Sequence, residues 1–237
     1  MVDLNVKIGG AAGQGMQTIG FLLGKIFVRG GYNVFAIQDN MSRIRGGHNF
    51  FQFRIKKEPV NLLVALDKES IDAHAKELAP GGLVIFDAEA MNFSPEGPQF
   101  LNVPLEKLIE KKIYSNSVAL GCILGLLEFG DEIVNQMIRD TFAASVESVE
   151  GNLKAARAGY DFVLKNEVKR RWNITLKPGQ AGRRLFINGN EALCLGALAA
   201  GCRFISAYPM SPSTGIIMYL AEKSDRTGMV TEQAEDD

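Results

Sequence analysis

A glycine-rich loop near the start of the chain is the first candidate for chemistry. Gly10-Ala11-Ala12-Gly13-Gln14-Gly15 follows a β-branched segment at residues 6–8 and precedes a helical pattern that starts at Met16. Unhindered backbone N–H groups at the start of a helix suit an anion such as a diphosphate. A purely structural tight turn explains the same glycines, so both interpretations stay open.

Two known nucleotide-binding motifs differ from this loop. No Lys-Ser/Thr pair follows it, which excludes the P-loop of proteins that bind nucleoside triphosphates. The dinucleotide fingerprint G-x-G-x-x-G would need a third glycine where the chain has Thr18. Asp39, at the end of the predicted second strand, is nevertheless placed to bind a ribose hydroxyl.

A second loop carries two guanidinium groups and an imidazole. Arg43 and Arg45 precede Gly46-Gly47, and His48 follows directly. Such a set can bind phosphate or carboxylate, because arginine offers paired donors in a fixed geometry. A solvated turn with incidental charges is the alternative, and the sequence does not choose between them.

The chain has two histidines, and neither belongs to a recognisable catalytic or metal-binding set. His74 lies in an amphipathic helical pattern between Asp72 and Lys76, which predicts a surface position. We find no Ser/His/Asp or Cys/His combination, and without acids at ligand spacing no metal site is expected.

A proline-rich loop in the last quarter of the chain is the third candidate. In Tyr208-Pro209-Met210-Ser211-Pro212-Ser213-Thr214 two prolines fix the backbone around Ser211, directly after a predicted strand. Open α/β sheets bind ligands at such positions, where a held hydroxyl can donate to a carboxylate or carbonyl group. A helix start with Pro212 and Ser213 near the cap also explains the prolines.

Composition describes an ordinary globular chain and excludes several partners. Lys and Arg number 26 against 27 Asp and Glu, for a net charge of -1 over 237 residues. Nucleic acid and anionic membranes are therefore not expected partners. No apolar run approaches the roughly 20 residues of a membrane span, and the first residues do not resemble a secretory signal, so we expect a cytoplasmic protein.

The three cysteines do not indicate a disulfide framework or a locally bound cluster. Cys122, Cys194 and Cys202 are odd in number and lack C-x-x-C spacing. We expect them to be small buried apolar residues.

Alternating strand and helix patterns predict that the elements holding the first two loops form an α/β domain. Strands are expected at residues 6–8, 33–38, 51–55, 62–66 and 83–86, with a helix after Met16 and another at 70–78. Three further helices are expected at 118–129, 133–142 and 146–164. The predicted fold is a mostly parallel sheet flanked by helices on both faces.

A basic segment separates this domain from a second one. Residues 166–184 contain Gly and Pro among several Lys and Arg side chains, which favours a solvated linker over a phosphate-binding arm. Strands are then expected at 185–187, 204–207 and 229–231, with helices at 191–200 and 216–222. About 55 residues is close to the lower limit for an independent core, so we expect residues 185–237 to be part of a longer polypeptide.

Five motifs together resemble the 2-oxoacid:ferredoxin oxidoreductases. They are the glycine loop, Arg45-Gly46-Gly47, Asn188-Gly189-Asn190-Glu191-Ala192, the Tyr208–Thr214 string and Glu232-Gln233-Ala234-Glu235-Asp236, in the family's order. The resemblance implies that residues 1–165 form the gamma domain, 166–184 a linker and 185–237 the start of the pyrimidine-binding domain of the alpha subunit. Such enzymes decarboxylate a 2-oxoacid oxidatively, transfer the acyl group to coenzyme A and reduce ferredoxin, and 2-oxoglutarate is the favoured substrate.

The resemblance also implies roles for individual residues. The family string reads Y-P-I-T-P-S-T, so Ser211 takes the place of the threonine whose hydroxyl contacts the 2-oxoacid, and Tyr208 belongs to the same substrate loop. Glu235 matches the glutamate that hydrogen-bonds the aminopyrimidine of thiamine diphosphate, and it is the expected catalytic residue. Gly13, Gly15, Arg43 and Arg45 are the expected coenzyme A contacts.

Several parts of such an enzyme are expected on other polypeptides. The beta subunit would share thiamine diphosphate with this chain, and magnesium and the iron-sulfur cluster would lie in partner subunits. The chain is thus expected to act in a hetero-oligomer with a beta subunit and ferredoxin, and to be silent alone. A non-catalytic module that binds a nucleotide or coenzyme A, and a scaffold whose glycine loop serves only packing, are the alternatives.

Overall fold

A computed structural model describes residues 4–39, 48–54, 59–166, 172–179, 184–211 and 213–235. The chain divides into two compact units, residues 1–184 and 185–237, which are described separately. Arg43 and Arg45 lie outside the described residues.

A six-stranded mixed sheet forms the centre of the first unit. Its strands are β1 (Asn5–Ala11), β2 (Phe35–Asp39), β3 (His48–Arg54), β4 (Val60–Ala65), β5 (Leu78–Phe86) and β6 (Phe100–Asn102), in the spatial order β2-β3-β1-β4-β5-β6. Strands β1, β4, β5 and β6 are parallel, whereas β3 runs antiparallel to both of its neighbours. The predicted mostly parallel sheet is confirmed. The three-residue β6 was not predicted, because it has no apolar run of strand length.

In the described part of the first unit, six helices pack on this sheet or on one another. They are α1 (Met16–Arg29), α2 (Lys68–His74), α3 (Ala88–Met91), α4 (Ser115–Leu126), α5 (Asp131–Thr141) and α6 (Val146–Lys165), with single 3₁₀ turns at Ala75–Glu77 and Lys112–Tyr114. Gly30 ends α1, as predicted. Residues Leu62–Ala65 of β4 are completely buried. Strands β4 and β5 are covered on both faces, which explains why their sequences are continuous apolar runs. None of the described helices has the length and apolarity of a membrane span.

Two glycines allow α4 and α6 to pack with their backbones in close contact. A Cβ at Gly121 of α4 would overlap the carbonyl oxygen of Ala156, and one at Gly159 of α6 would overlap that of Val118. The Cys122 thiol lies in this contact, 3.5 Å from the carbonyl oxygen of Gly159. Burial raises the pKa of Cys122 to about 12, so it behaves as the small apolar residue that was predicted.

The described residues 172–179, near the end of the first unit, are partly packed rather than wholly solvated. Trp172 and Leu176 are buried against the first unit. The backbone N–H of Leu176 donates to Leu127, the N–H of Gly179 donates to Gly30, and the Tyr32 hydroxyl donates to Lys177. The prediction of a solvated linker is therefore wrong for residues 172–179, because two apolar side chains anchor a stretch whose composition is otherwise basic.

The second unit is a small α/β layer. It contains α7 (Gly189–Ala199), β7 (Phe204–Ala207), α8 (Thr214–Glu222), α9 (Ser224–Thr227) and β8 (Val230–Gln233), and its two strands pair in parallel. The predicted strand at 185–187 is not formed. Leu185 is 72% exposed, and the next residues lead into a capping box in which Asn188 and Glu191 start α7. Within the described residues no strand pairs with 185–187, and a strand without a ladder partner is not stable.

One face of the second sheet is covered and the other is open. Ile205 packs with Cys194, Leu220 and Met229, the residues that form the buried core of this unit. On the opposite face the paired residues Phe204 and Val230 are 59% and 57% exposed. The unit thus buries few large side chains for its size and leaves apolar surface in contact with solvent.

We predict that Gly121→Ala destabilises the first unit by about 2 kcal/mol, because the methyl group forces α4 away from α6. Gly196→Ala is the control, since this helical glycine in α7 has open space around its Cβ position and alanine is the better helix former. Thermal unfolding followed by circular dichroism measures both. Equal melting temperatures for the two variants would contradict the close helix contact.

Candidate functional sites

The glycine loop is held in place mainly by the side chain of Gln14. Its Oε1 accepts from the backbone N–H of Ala11 at 2.7 Å, and its Nε2 donates to the carbonyl oxygen of Leu66 at 3.3 Å. The backbone N–H of Gln14 also donates to the Ala11 carbonyl. Gln14 therefore fastens the end of β1 to the end of β4, and its amide is occupied by the protein.

The glycines of the loop are required for different reasons. A Cβ at Gly10 would come within 2.7 Å of Gln14 Oε1. Gly13 has a φ of +89° but open space around it, whereas Gly15 has a φ of +79° and its Cβ would overlap Asn116 of α4. Gly10 and Gly15 thus serve packing within the protein, and Gly13 leaves the backbone open to an approaching group.

The loop borders a cavity of about 490 Å³ at the carboxyl edge of the parallel strands. Its walls come from the loop, the ends of β4 and β5, the segment after β6 and the first turn of α4; they include Gly13, Gln14, Leu66, Asp87, Leu105, Glu106, Lys112, Ser115 and Asn116. Glu106 and Lys112 pair at 2.6 Å, and Asp87 caps α3. The charged side chains in its walls are thus largely used within the protein.

Two helix N-termini without side-chain caps meet at this cavity. Among the described residues, neither α1 nor α4 has a side-chain cap or an acid in its first turn. The other helices of the first unit have one or both: α2, α3 and α6 are capped by Asp67, Asp87 and Ser145, and α5 starts with Asp131 and Glu132. The N–H of Ser115, the first residue of α4, donates to Lys112 of the preceding 3₁₀ turn. Since neither helix start carries a side-chain acceptor or an acid, the dipoles of α1 and α4 favour an anion in this cavity.

Asp39 does not have the position that a dinucleotide site requires. It ends β2 as an exposed residue, and β3 lies between β2 and β1. Adjacent strands are about 4.8 Å apart, so the inserted strand moves Asp39 away from the glycine loop. The fold does not support the dinucleotide interpretation, and the missing third glycine agrees with this.

The prediction that His74 lies on the surface is wrong. It is 7% exposed, and its Nε2 lies 2.8 Å from Nε2 of His48. The helix that carries it turns this side chain toward β1 and β3, where it meets the buried Lys7. A polar partner 67 positions earlier in the chain could not be inferred from helical spacing.

In the second unit, the parallel strands bring the other two candidate elements to one edge. Tyr208 and Glu235 follow β7 and β8, and the backbone N–H of Ala234 donates to Ala207 at 3.2 Å, just beyond the paired residues. Tyr208, Ser211 and Glu235 are all exposed. The two segments that hold the predicted site residues therefore leave the same edge of one sheet, and the roles of these residues stay predictions.

The Tyr208–Ser213 loop is closed by its own hydrogen bonds. The Ser213 hydroxyl donates to the carbonyl oxygen of Met210 at 2.7 Å, and the N–H of Thr214 donates to the same oxygen. Ser213 is the residue that precedes α8, as predicted, but its hydroxyl does not cap that helix. Within the described residues α8 thus has no side-chain cap, and no acid lies in its first turn.

Asn116 is a residue of the first site that the sequence interpretation missed. It lies in the first turn of α4 and contacts Gly15, so it joins the two helix starts. The polar run Ser115-Asn116-Ser117 before an apolar helix is a signal for a helix start that could have been used.

Comparison with known proteins identifies the family. Residues 5–162 match the pyruvate ferredoxin/flavodoxin oxidoreductase family, and because this match covers more than half of the chain, the chain belongs to that family. A curated relative, the alpha subunit of 2-oxoacid:ferredoxin oxidoreductase 2 from Aeropyrum pernix, is 22% identical over 94% of this chain and 44% of its own length. Other curated relatives are named for 2-oxoglutarate and for ketoisovalerate.

Solved structures of similar fold cover one or both units. The chain aligns over its whole length with 44% of a 2-oxoglutarate:ferredoxin oxidoreductase from Magnetococcus marinus, solved with 2-oxoglutarate, coenzyme A and succinyl-CoA, at a TM-score of 0.83 and 23% identity. A gamma subunit of a keto/oxoacid ferredoxin oxidoreductase from Geobacter sulfurreducens aligns over 99% of its length with 69% of this chain, at a TM-score of 0.60 and 23% identity. The chain spans less than half the length of the curated alpha subunits it matches.

We predict that Gly15→Ala destabilises the protein more than Gly13→Ala does. Both substitutions place an alanine in the left-handed region, at a cost of roughly 1–2 kcal/mol, but only Gly15→Ala also collides with Asn116. Urea denaturation of each variant, alone and combined with Asn116→Ala, separates the two effects. Adding Asn116→Ala to Gly15→Ala should restore part of the stability that Gly15→Ala loses, whereas adding it to Gly13→Ala should restore none. Restored stability in both double variants, or in neither, would contradict the contact between Gly15 and Asn116.

Proposed function

We propose that this chain supplies the gamma domain and the start of the alpha pyrimidine-binding domain of a 2-oxoacid:ferredoxin oxidoreductase. Residues 1–165 would form the gamma domain, 166–184 the connection and 185–237 the alpha part. The enzyme would decarboxylate a 2-oxoacid oxidatively, form an acyl-CoA and reduce ferredoxin. The observation that carries the proposal is the parallel pairing of β7 with β8, which places the Tyr208–Ser213 loop and Glu235 at one edge.

The groups at this edge fit the pyrimidine side of thiamine diphosphate. A carboxyl group that can exchange a proton with a ring nitrogen, Glu235, is exposed beside a loop that presents hydroxyl groups. When bound, thiamine diphosphate supplies the thiazolium that takes up the carbonyl carbon of a 2-oxoacid. The diphosphate and its magnesium would be held by the beta subunit.

Each residue of the second site has a separate task in this proposal. Glu235 would hold and move a proton at the aminopyrimidine. Ser211 would donate its hydroxyl to the carboxylate of the 2-oxoacid, and Tyr208 would form a wall of the same pocket. The N-terminus of α8, which lacks a side-chain cap and a first-turn acid within the described residues, would add a positive potential for that carboxylate.

These residues need a partner surface before they can work. A carboxyl group that shares a proton with a ring nitrogen is effective in a site from which water is excluded, yet Tyr208, Ser211 and Glu235 are exposed. We therefore propose a hetero-oligomer in which a beta subunit covers this edge, with the iron-sulfur cluster and the docking of ferredoxin on partner subunits. The cytoplasm is the proposed location.

The cavity at the glycine loop would bind a phosphate-bearing part of coenzyme A, the co-substrate. Its support is the meeting of two uncapped helix starts beside Gly13, whose backbone is open. Gly15 would act indirectly by allowing Asn116 to approach. Arg43 and Arg45 remain predicted contacts. For the 2-oxoacid, we favour 2-oxoglutarate, the ligand of the structure from Magnetococcus marinus.

We predict that Glu235→Gln lowers turnover of the assembled oxidoreductase by about 100-fold or more, because the amide cannot exchange the proton. Glu232→Gln is the matched control, since Glu232 is also exposed and lies on β8 three positions earlier. The assay is 2-oxoacid- and coenzyme A-dependent reduction of a low-potential dye, with pyruvate, 2-oxoglutarate and a branched 2-oxoacid. Size-exclusion chromatography checks assembly. Near-normal turnover of Glu235→Gln would remove this residue from the mechanism, and inactivity of the wild-type assembly with every 2-oxoacid would overturn the proposed function.

We further predict that the full chain binds coenzyme A in calorimetry and that Gly13→Asp weakens this binding several-fold to about tenfold, because a carboxylate at the helix start repels phosphate. Gly13→Asn is the control with the same shape and no charge, and both residues tolerate a positive φ. Binding of NAD in place of coenzyme A would favour the alternative nucleotide-binding module. Equal affinities for the two variants would contradict the proposed phosphate position.

A further inference from the structure

The only two histidines of the chain contact each other. His48 is the first residue of β3 and His74 the last of α2, and their Nε2 atoms are 2.8 Å apart although they are separated by 26 positions in the sequence. Their rings are tilted by 47° with centroids 4.9 Å apart. This contact has no place in the proposed catalytic function.

The neighbours of His74 determine which of its nitrogens carries a proton. His74 Nδ1 lies 2.6 Å from Oε1 of Glu77, and the buried Lys7 donates to Oε2 of the same carboxylate at 2.6 Å. Burial alone would raise the pKa of Glu77, but the hydrogen bonds from Lys7 and His74 lower it overall. Lys7 Nζ also lies 3.2 Å from His74 Nδ1. The contact with Glu77 is shorter, and an ionised carboxylate only accepts, so we assign the proton to His74 Nδ1, which donates it to Glu77.

The protonation of His48 follows from that of His74. When His74 is neutral with its proton on Nδ1, its Nε2 has a lone pair and accepts, so His48 must donate from Nε2–H. The remaining lone pair, on His48 Nδ1, is buried and has no hydrogen-bond partner among the described residues. One combination of tautomers therefore forms the hydrogen bond between the rings: His74 is protonated at Nδ1 and His48 at Nε2.

The pair lies directly beneath the start of the glycine loop. His48 is opposite Ala11 in the β1–β3 register. A Cβ at Gly9 would come within 3.0 Å of His48 Cε1 and 2.7 Å of Ser70 Oγ, so β1 rests on these side chains without a gap. A displacement of the His48 ring therefore moves the backbone from which the loop leaves the sheet.

We propose that the two imidazoles form a proton-sensitive support for the start of the glycine loop. The hydrogen bond holds while His74 is neutral. When His74 takes up a proton, its Nε2 also carries a hydrogen, which faces the Nε2–H of His48 across the same 2.8 Å. The contact then lacks an acceptor until the His48 ring reorients or moves its proton to Nδ1, and the backbone of Gly9, which packs on that ring, responds to the change.

The charged groups that act on His74 come from three neighbouring elements. They are Lys7 of β1, His48 of β3 and Glu77 of the 3₁₀ turn after α2. Burial lowers the pKa of His74 most, Lys7 and His48 lower it further, and Glu77 opposes them without reversing the direction. Because the folded-state pKa lies below the ordinary value of about 6.5, the stability that the neutral ring contributes is present above pH 6.5 and is lost as the pH falls through the folded-state pKa.

Having just two histidines makes a direct test possible in the full chain. In long-range ¹H–¹⁵N spectra of the ¹⁵N-labelled protein at about pH 8, we expect one ring protonated at Nε2 and the other at Nδ1. On acidification, the amide signals of Gly9 and Gly10 should shift with the same midpoint as His74, below about pH 6.5. Identical tautomers, or glycine amides that do not respond to the titration of His74, would overturn the proposal.

Two variants of His48 separate the hydrogen bond from packing. His48→Gln keeps an N–H donor at a similar reach, whereas His48→Phe keeps a ring but has no donor. We expect His48→Phe to move the titration midpoint of His74 upward, since the neutral ring loses its donor, and His48→Gln to move it less. A His74 midpoint that is the same in both variants would overturn the proposal, and if His48→Phe does not fold, the wild-type titration decides alone.

Discussion

The common direction of the parallel strands is the constraint on which both candidate sites depend. Strands β1, β4 and β5 end at one edge of the first sheet, where the glycine loop, Leu66 and Asp87 follow them. Strands β7 and β8 likewise end together, so that Tyr208 and Glu235 leave the same edge. Parallel pairing also sends every return connection across a face of the sheet, which leaves the carboxyl edge open for ligands. A reversal of one strand would separate the chemical groups without altering any of them.

Helix starts without capping groups recur at these edges. Helices α1 and α4 begin at the cavity of the first unit, and α8 begins after the Tyr208–Ser213 loop of the second. Elsewhere in the described part of the first unit, side chains such as Asp67 and Ser145 satisfy the first N–H groups. Helix starts that lack a capping side chain and an acid attract anions through the helix dipole, and both ligand classes of the proposed enzyme, a 2-oxoacid and a phosphate-bearing co-substrate, are anionic.

Local patterns were sufficient to predict most elements, whereas long-range packing decided the errors. Local sequence patterns predict the strands at 62–66 and 83–86 and the helix after Met16, and the structure contains all three. The strand expected at 185–187 failed because a strand also needs a partner. His74 is buried by Lys7 and His48, and residues 172–179 are anchored by Trp172, all through contacts distant in sequence. The sequence motifs predict the glycine loop and the Tyr208–Ser213 loop as candidate sites. Asn116 was missed because its contact with Gly15 depends on how α4 packs against α1.

Because one face of the second sheet is open, the stability of the second unit depends on what covers that face. A surface that covers Phe204 and Val230 stabilises the folded unit, and when that surface belongs to another protein it acts as a ligand of the folded state. By mass action, a covering protein present at 100 times its dissociation constant adds about 2.7 kcal/mol to the unfolding free energy. Without a covering surface the second unit unfolds more readily, and the unfolded chain is the form that proteases attack.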